Sequence, residues 1–136
     1  MRAYIDGGAR GNPGPAGYGV RIERHDGTLV AELYGALGQT TNNVAEYRGL
    51  LAALRYTVAQ GHRTLLIRSD SELLVKQMRG EYKVKHEGLK PLAAEARLLI
   101  MQLERVEFEH VRREENAEAD RLANLAMDEA ERTAGP

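Results

Sequence analysis

The sequence predicts a mixed α/β domain, an antiparallel meander extended by parallel crossovers. Three observations carry this. Three alternating or β-branched runs precede residue 38, a three-and-four-residue hydrophobic period begins at Val44, and the continuous apolar run Leu65-Leu66-Ile67 follows that helix as a buried strand does. At 136 residues the chain amounts to about one domain. We assign residues 1–131 to a single domain and 132–136 to a short tail. Hydrophobic residues at 43% and charged residues at 29% argue against disorder and leave enough apolar surface for one core.

The first strand covers residues 1–5 and ends at Asp6-Gly7-Gly8. Gly7 to Pro15 reads as an irregular loop, because its Gly and Pro content opposes helix and central strand alike. Tyr18 to Arg24 and Leu29 to Leu37 are the second and third strands, separated by His25-Asp26-Gly27. Tyr47, Leu50, Leu51, Leu54 and Val58 mark a long amphipathic helix with Gly61 as its stop. After the strand at Leu65, Leu73 to Met78 is a helix, Gly80 to Gly88 a polar connection, and Pro91 to Leu103 a helix with Pro in its first turn. Val106 to Val111 is the fifth strand. Asn116 then caps an alanine-rich helix whose stripe is Ala119, Leu122, Ala123 and Ala126.

Composition excludes several chemistries. With no cysteine there is no disulfide scaffold, no thiol nucleophile and no zinc site built on Cys. No signal peptide is visible and no segment approaches ~18 uninterrupted apolar residues, so no membrane partner is expected and a cytoplasmic location is. A formal net charge of −1 gives no global field for a polyanion. Lys76 to Lys90 has five Lys and Arg against two Glu, whereas Glu104 to Glu131 has four Arg against ten acids. The basic stretch reads equally as a phosphate contact and as a solvated connection.

Four carboxylates stand out, and each has an ordinary structural explanation. Asp6 suits a turn, and Glu46 suits a capping box with Asn43. Asp70 follows a strand where Ser69 and Glu72 already form a capping box, and Asp120 favours the dipole of the last helix. Taken together, Asp6 and Asp70 end two central strands and Glu46 lies on the core side of the first helix, so they converge at one sheet edge. Acids gathered near a core are costly unless a cation neutralises them. Hard oxygen ligands suit Mg²⁺ or Mn²⁺, and metal-assisted phosphoryl transfer is the matching chemistry.

Five motifs in order resemble the type 1 ribonuclease H family over nearly the whole chain: Tyr4-Ile5-Asp6-Gly7, Arg10 to Gly19, Thr41-Asn42-Asn43-Val44-Ala45-Glu46, Ser69-Asp70-Ser71, and Asn116 to Ala123. The resemblance implies a ribonuclease H-like, mixed five-stranded sheet flanked by helices. It implies hydrolysis of the RNA strand of an RNA–DNA hybrid, leaving 5′-phosphate and 3′-hydroxyl ends. It also implies that Asp6, Glu46, Asp70 and Asp120 bind two divalent cations, Mg²⁺ or alternatively Mn²⁺. Gly7, Asn12, Asn42, Asn43 and Ser71 are the implied substrate contacts, and the residue at Glu46 also accepts from a ribose 2′-OH. The protein is expected to act as a monomer.

Two departures qualify the resemblance. Many members carry a histidine in the loop before the last helix, but that loop here is Arg112-Arg113-Glu114-Glu115-Asn116. Arg113 is the residue placed to act there, while His110 falls inside the fifth strand. The chain also has no Trp and no long basic protrusion, which predicts a weak substrate grip. The rival readings are a catalytically weak or inactive hybrid-binding module and a DNA nuclease of related fold. The Gly-rich loop lacks the Gly-Lys-Ser/Thr and G-x-G-x-x-G patterns of nucleotide binders.

Overall fold

The computed structural model describes residues 1–134. Five strands, β1 (Arg2–Ala9), β2 (Gly14–Glu23), β3 (Leu29–Thr40), β4 (Thr64–Ser69) and β5 (Arg105–His110), form one sheet in the order β3-β2-β1-β4-β5. The meander β1-β2-β3 is antiparallel, and β4 and β5 add in parallel beside β1. The helices are α1 (Asn42–Ala59), α2 (Glu72–Met78), α3 (Lys90–Ile100) and α4 (Ala117–Thr133), with a 3₁₀ turn over Arg113–Asn116. The mixed sheet and its element order are therefore those the sequence predicts. No described helix is long and apolar enough to cross a membrane.

β1 is the central strand, and it runs further than expected. Gly7, Gly8 and Ala9 pair with Tyr18, Gly17 and Ala16, so only residues 10–13 form the irregular loop. The reason is steric. A Cβ on Gly7 would stand 2.3 Å from the carbonyl carbon of Ala45 and 2.4 Å from Glu46 N, so only glycine lets the first turns of α1 lie on the strand. On the other face, a Cβ on Gly19 would meet Ala119 O at 2.4 Å and Ala123 N at 2.5 Å, which fixes α4 on β2. Glycines placed this way permit a sandwich of helix, strand and helix, because each missing side chain is replaced by helix backbone.

The predicted stripes form the core. Leu50, Leu51 and Leu54 of α1 pack with Ile5 and Ile67, and Ala119, Leu122, Ala123 and Ala126 of α4 are buried. Gly61, with φ +76°, ends α1, as His62 N donates to Thr57 O and Gly61 N to Val58 O, a Schellman arrangement.

Three expected caps differ. Thr41, not Asn43, caps α1 by accepting from Val44 N, and Ser71, not Ser69, caps α2 by accepting from Leu74 N. Asn116 occupies the cap position of α4 but makes no capping bond. A side chain one or two residues from a helix start cannot be assigned as its cap until the backbone turn is fixed. α4 continues to Thr133, two residues into the assigned tail, and residues 135–136 lie outside the described part.

Gly19→Ala is expected to lose about 3 kcal/mol or fail to fold. Gly8→Ala, whose Cβ would sit 3.4 Å from the flexible Met127 side chain, is expected to cost about 1 kcal/mol or less. Urea denaturation of the two variants checks both values, and a Gly19 variant as stable as the parent would refute the close approach.

Candidate active site

The β1–β4 ladder ends at the pair Ile5 and Ser69, so Asp6 and Asp70 emerge side by side at the same sheet edge. Alternation along β1 sends Asp6 to the face opposite Gly7, where its partner Gly19 lies beneath α4. Asp120, in the first turns of α4, thereby comes over Asp6. From the other face, the contact of Gly7 with Ala45 and Glu46 lowers α1 until Glu46 reaches the same edge. Asp6, Glu46, Asp70 and Asp120 thus line one cleft of about 850 Å³, together with Gly7, Asn42, Asn43, His110 and Arg113.

The acids crowd one another. Burial first, then the charges of Asp70 and Asp120, push the Asp6 carboxyl up to about 8, and Asp120 accepts a hydrogen bond from its protonated form. Burial raises Glu46 to about 7, with Asp70 adding and a hydrogen bond from Ser71 opposing. Asp70 is also raised, because burial and Asp120 outweigh the opposing pull of Arg113 and His110.

The donor set is all oxygen, without Cys and with the carboxylates short of counter-charge, which fits a hard divalent cation. Among the described residues, no three His, Cys, Asp or Glu side chains form a ready-made cage. Mg²⁺ needs no such cage, since it takes one or two carboxylates and completes its shell with water and phosphate oxygens. The residues therefore fit the cation, with a cleft open to substrate oxygens.

The remaining predicted residues divide. Asn42, Asn43, Gly7 and Arg113 are on the cleft wall, whereas Asn12 and Ser71 are not. Asn12 Oδ1 accepts from Asn42 N at 3.1 Å, and Asn42 Oδ1 accepts from Ala9 N at 2.7 Å, which ties the 10–13 loop to the start of α1. Arg10 fastens the same loop to α4, donating to Asp128 Oδ1 at 2.6 Å and Asn124 Oδ1 at 3.2 Å. Ser71 caps α2.

Arg10, Asn124 and His110 are cleft residues that sequence reasoning did not assign to the site. Asn124 was findable, since it follows Asp120 by four residues on one helix face. His110 was not, because its place depends on the parallel register that pairs it with Ser69. Its Nε2 lies 3.3 Å from the Asp70 carbonyl oxygen.

A family model described as reverse transcriptase-like matches residues 4–126. The chain is 50% identical over 130 residues to the bifunctional protein Rv2228c of Mycobacterium tuberculosis, covering 95% of this chain and 36% of that protein. It is 40% identical to ribonuclease HI of Halobacterium salinarum, covering 96% and 65%. It thus spans about a third of the first relative's length and just under two thirds of the second's. Among solved structures, the N-terminal RNase H domain of Rv2228c superimposes with a TM-score of 0.95 at 48% identity, covering 98% of this chain and 97% of that one. LC11-RNase H1 in complex with RNA/DNA hybrid does so at 0.90 and 45%, covering 95% and 97%.

The crowding generates a stability prediction for metal-free protein. The folded Asp6 pKa of about 8 lies above the ~3.9 of an unfolded chain, so the native state retains a proton that the unfolded state releases. The parent's contribution from Asp6 is fully present below about pH 4 and is lost as pH rises through about 8. Asp6→Asn does not titrate there and should exceed the parent by on the order of 2 kcal/mol at about pH 9, discounted for partial exposure, with the gap closing below about pH 4. Thermal melts in chelator across this window check it, and parallel pH profiles would show that Asp6 ionises freely.

Proposed function

Since the chain belongs to the type 1 ribonuclease H family, we propose that it is an endoribonuclease that hydrolyses the RNA strand of RNA–DNA hybrids and leaves 5′-phosphate and 3′-hydroxyl ends. The observation that carries the reading is the crowding of Asp6, Glu46, Asp70 and Asp120 around one cleft with two of them driven far above their ordinary range. In this proposal those four residues hold two divalent cations, Mg²⁺ or Mn²⁺. When bound, the cations supply Lewis acidity for the attacking water and the leaving 3′ oxygen.

The protein's own groups divide the remaining work. Glu46, which lines the cleft with Asn42 and Asn43, would accept from a ribose 2′-OH and so demand RNA at the cut. The side-chain oxygens of Asn12 and Asn42 are already engaged with backbone N–H groups. Their amide NH₂ groups can only donate. Minor-groove edges present acceptors at every A·T-type pair, and 2′-OH groups also accept, so such donors read duplex shape with little regard to sequence.

Arg113 offers a fixed positive charge and a forked donor to phosphate oxygens, and it cannot shuttle a proton. Within the basic stretch, Lys76, Arg79 and Lys90 already pair with Glu72, Glu81 and Glu87. Lys83 and Lys85 remain without a carboxylate partner among the described residues. Two such contacts are worth about two units in the slope of log affinity against log salt.

Asp70→Asn should abolish cleavage of a defined hybrid in Mg²⁺, by a factor of about 10³ or more, while hybrid binding in Ca²⁺ stays near the parent's. Near-normal cleavage by this variant at saturating Mg²⁺ would sink the assignment. Unchanged hybrid binding with no turnover by the parent itself would instead favour the non-catalytic binding module. Arg113→Ala should slow single-turnover cleavage about 10- to 100-fold, with Arg113→Lys recovering part of the loss. An alanine variant as fast as the parent would return Arg113 to the solvated surface.

A further inference from the structure

Asn116 stands where two parts of the site meet, and its side chain is used against the preference of its position. At the head of α4 an asparagine ordinarily caps the helix, but this one makes no capping bond. Its amide is turned inward at 1% exposure, and Nδ2 donates at 2.8 Å to the carbonyl oxygen of Ile5, the residue before Asp6. Met1 O, four residues back, receives Leu66 N–H from the β4 side, and the strand period aims the Ile5 carbonyl the same way. Pairing of β1 with β4 ends at Ile5 and Ser69. The Asn116 amide therefore serves as one more ladder donor at the point where β1 and β4 cease to pair, beside Asp6 and Asp70.

The cost of this arrangement is visible. Asn116 Oδ1 is buried with no hydrogen-bond partner in the protein, and the first turn of α4 has no side-chain cap. An outward rotation would relieve both. What the inward rotation secures is the bond to β1, made by the residue that closes the Arg113 turn and lies one helical turn before Asp120.

We infer that Asn116 is a positioning residue of the cleft: its buried amide fastens the head of α4 to β1 beside Asp6 and sets the Asp6–Asp120 spacing at which a divalent cation is held. The inference rests on the metal-dependent reading above. It differs from a general packing role in predicting a specific loss of metal affinity, as partners that orient metal ligands do.

The test compares Asn116→Ala and the volume-conserving Asn116→Leu with Thr57→Val, which removes a buried hydroxyl that donates to Ala53 O within α1. Mn²⁺ affinity is measured by calorimetry on nucleic-acid-free protein, folding by circular dichroism in the cold, and cleavage as kcat and KM for one hybrid. Folded Asn116 variants should bind Mn²⁺ about tenfold or more weakly. They should lose kcat with KM for the hybrid held within about twofold. Thr57→Val should lose stability alone. Parental Mn²⁺ affinity in a folded Asn116 variant, an equal loss in Thr57→Val, or failure of both Asn116 variants to fold would overturn the inference. A parent that neither binds Mn²⁺ nor cuts hybrid brings down the metal-dependent reading as well, whereas an active parent with parent-like variants brings down this inference alone.

Discussion

The site depends on two side chains that are missing. Helix backbone rests directly on strand backbone at Gly7 and Gly19, and a single methyl group at either place would overlap main-chain atoms of α1 or α4. Those contacts decide how far each helix descends toward the sheet edge, and therefore whether Glu46 and Asp120 reach the acids that β1 and β4 present there. Sheet register supplies the rest, since Asp6 lies opposite Gly19 and one step beyond the pairing of Ile5 with Ser69. The four carboxylates come together through backbone contacts that no surface substitution can adjust.

That rigidity opposes the electrostatics. Carboxylates free to move would spread apart until each ionised, but here burial and mutual repulsion keep the Asp6 carboxyl protonated at neutral pH and raise that of Glu46 into the neutral range in the absence of a cation. Arg113 and His110 pull Asp70 the other way without prevailing. Conflict of this kind lowers stability and is typical of sites arranged for chemistry rather than for folding. The lock of Asn12, Asn42 and Arg10 around the 10–13 loop works alongside it, fixing the cleft rim between α1 and α4 through polar bonds.

What the sequence revealed follows from which signals are local. Hydrophobic period located α1 and α4, and the apolar run at Leu65 located β4, because each depends on residues a few positions apart. The carboxylates were legible through their positions at strand and helix ends together with the resemblance. The extension of β1 through Gly7 and Gly8 was not, since a glycine opposes a strand unless a helix from far along the chain fills the space. Nor was the place of His110, set by a parallel pairing, or the inward turn of Asn116, whose partner Ile5 is 111 residues away. Caps misassigned at Asn43 and Ser69 came from neighbouring residues of equal capping chemistry, where local sequence has no means of choosing.

Charge distribution constrains how such a cleft meets a polyanion. The segment from Glu104 to Glu131 carries ten acids against four Arg, and the chain as a whole is at −1, so no long-range field draws a phosphate backbone toward the cleft. Much of the basic stretch is neutralised by its own glutamates. Without cations a phosphate meets the acids of the cleft with only its arginines to offset them, and without phosphate a cation must complete its shell with water alone. Under the proposed function each ligand therefore supplies what the other lacks. Linkage requires the effect to be reciprocal, so whatever factor the hybrid adds to cation affinity the cation adds to hybrid affinity. In a protein without a large basic protrusion, that coupling replaces part of the grip that surface lysines would otherwise provide.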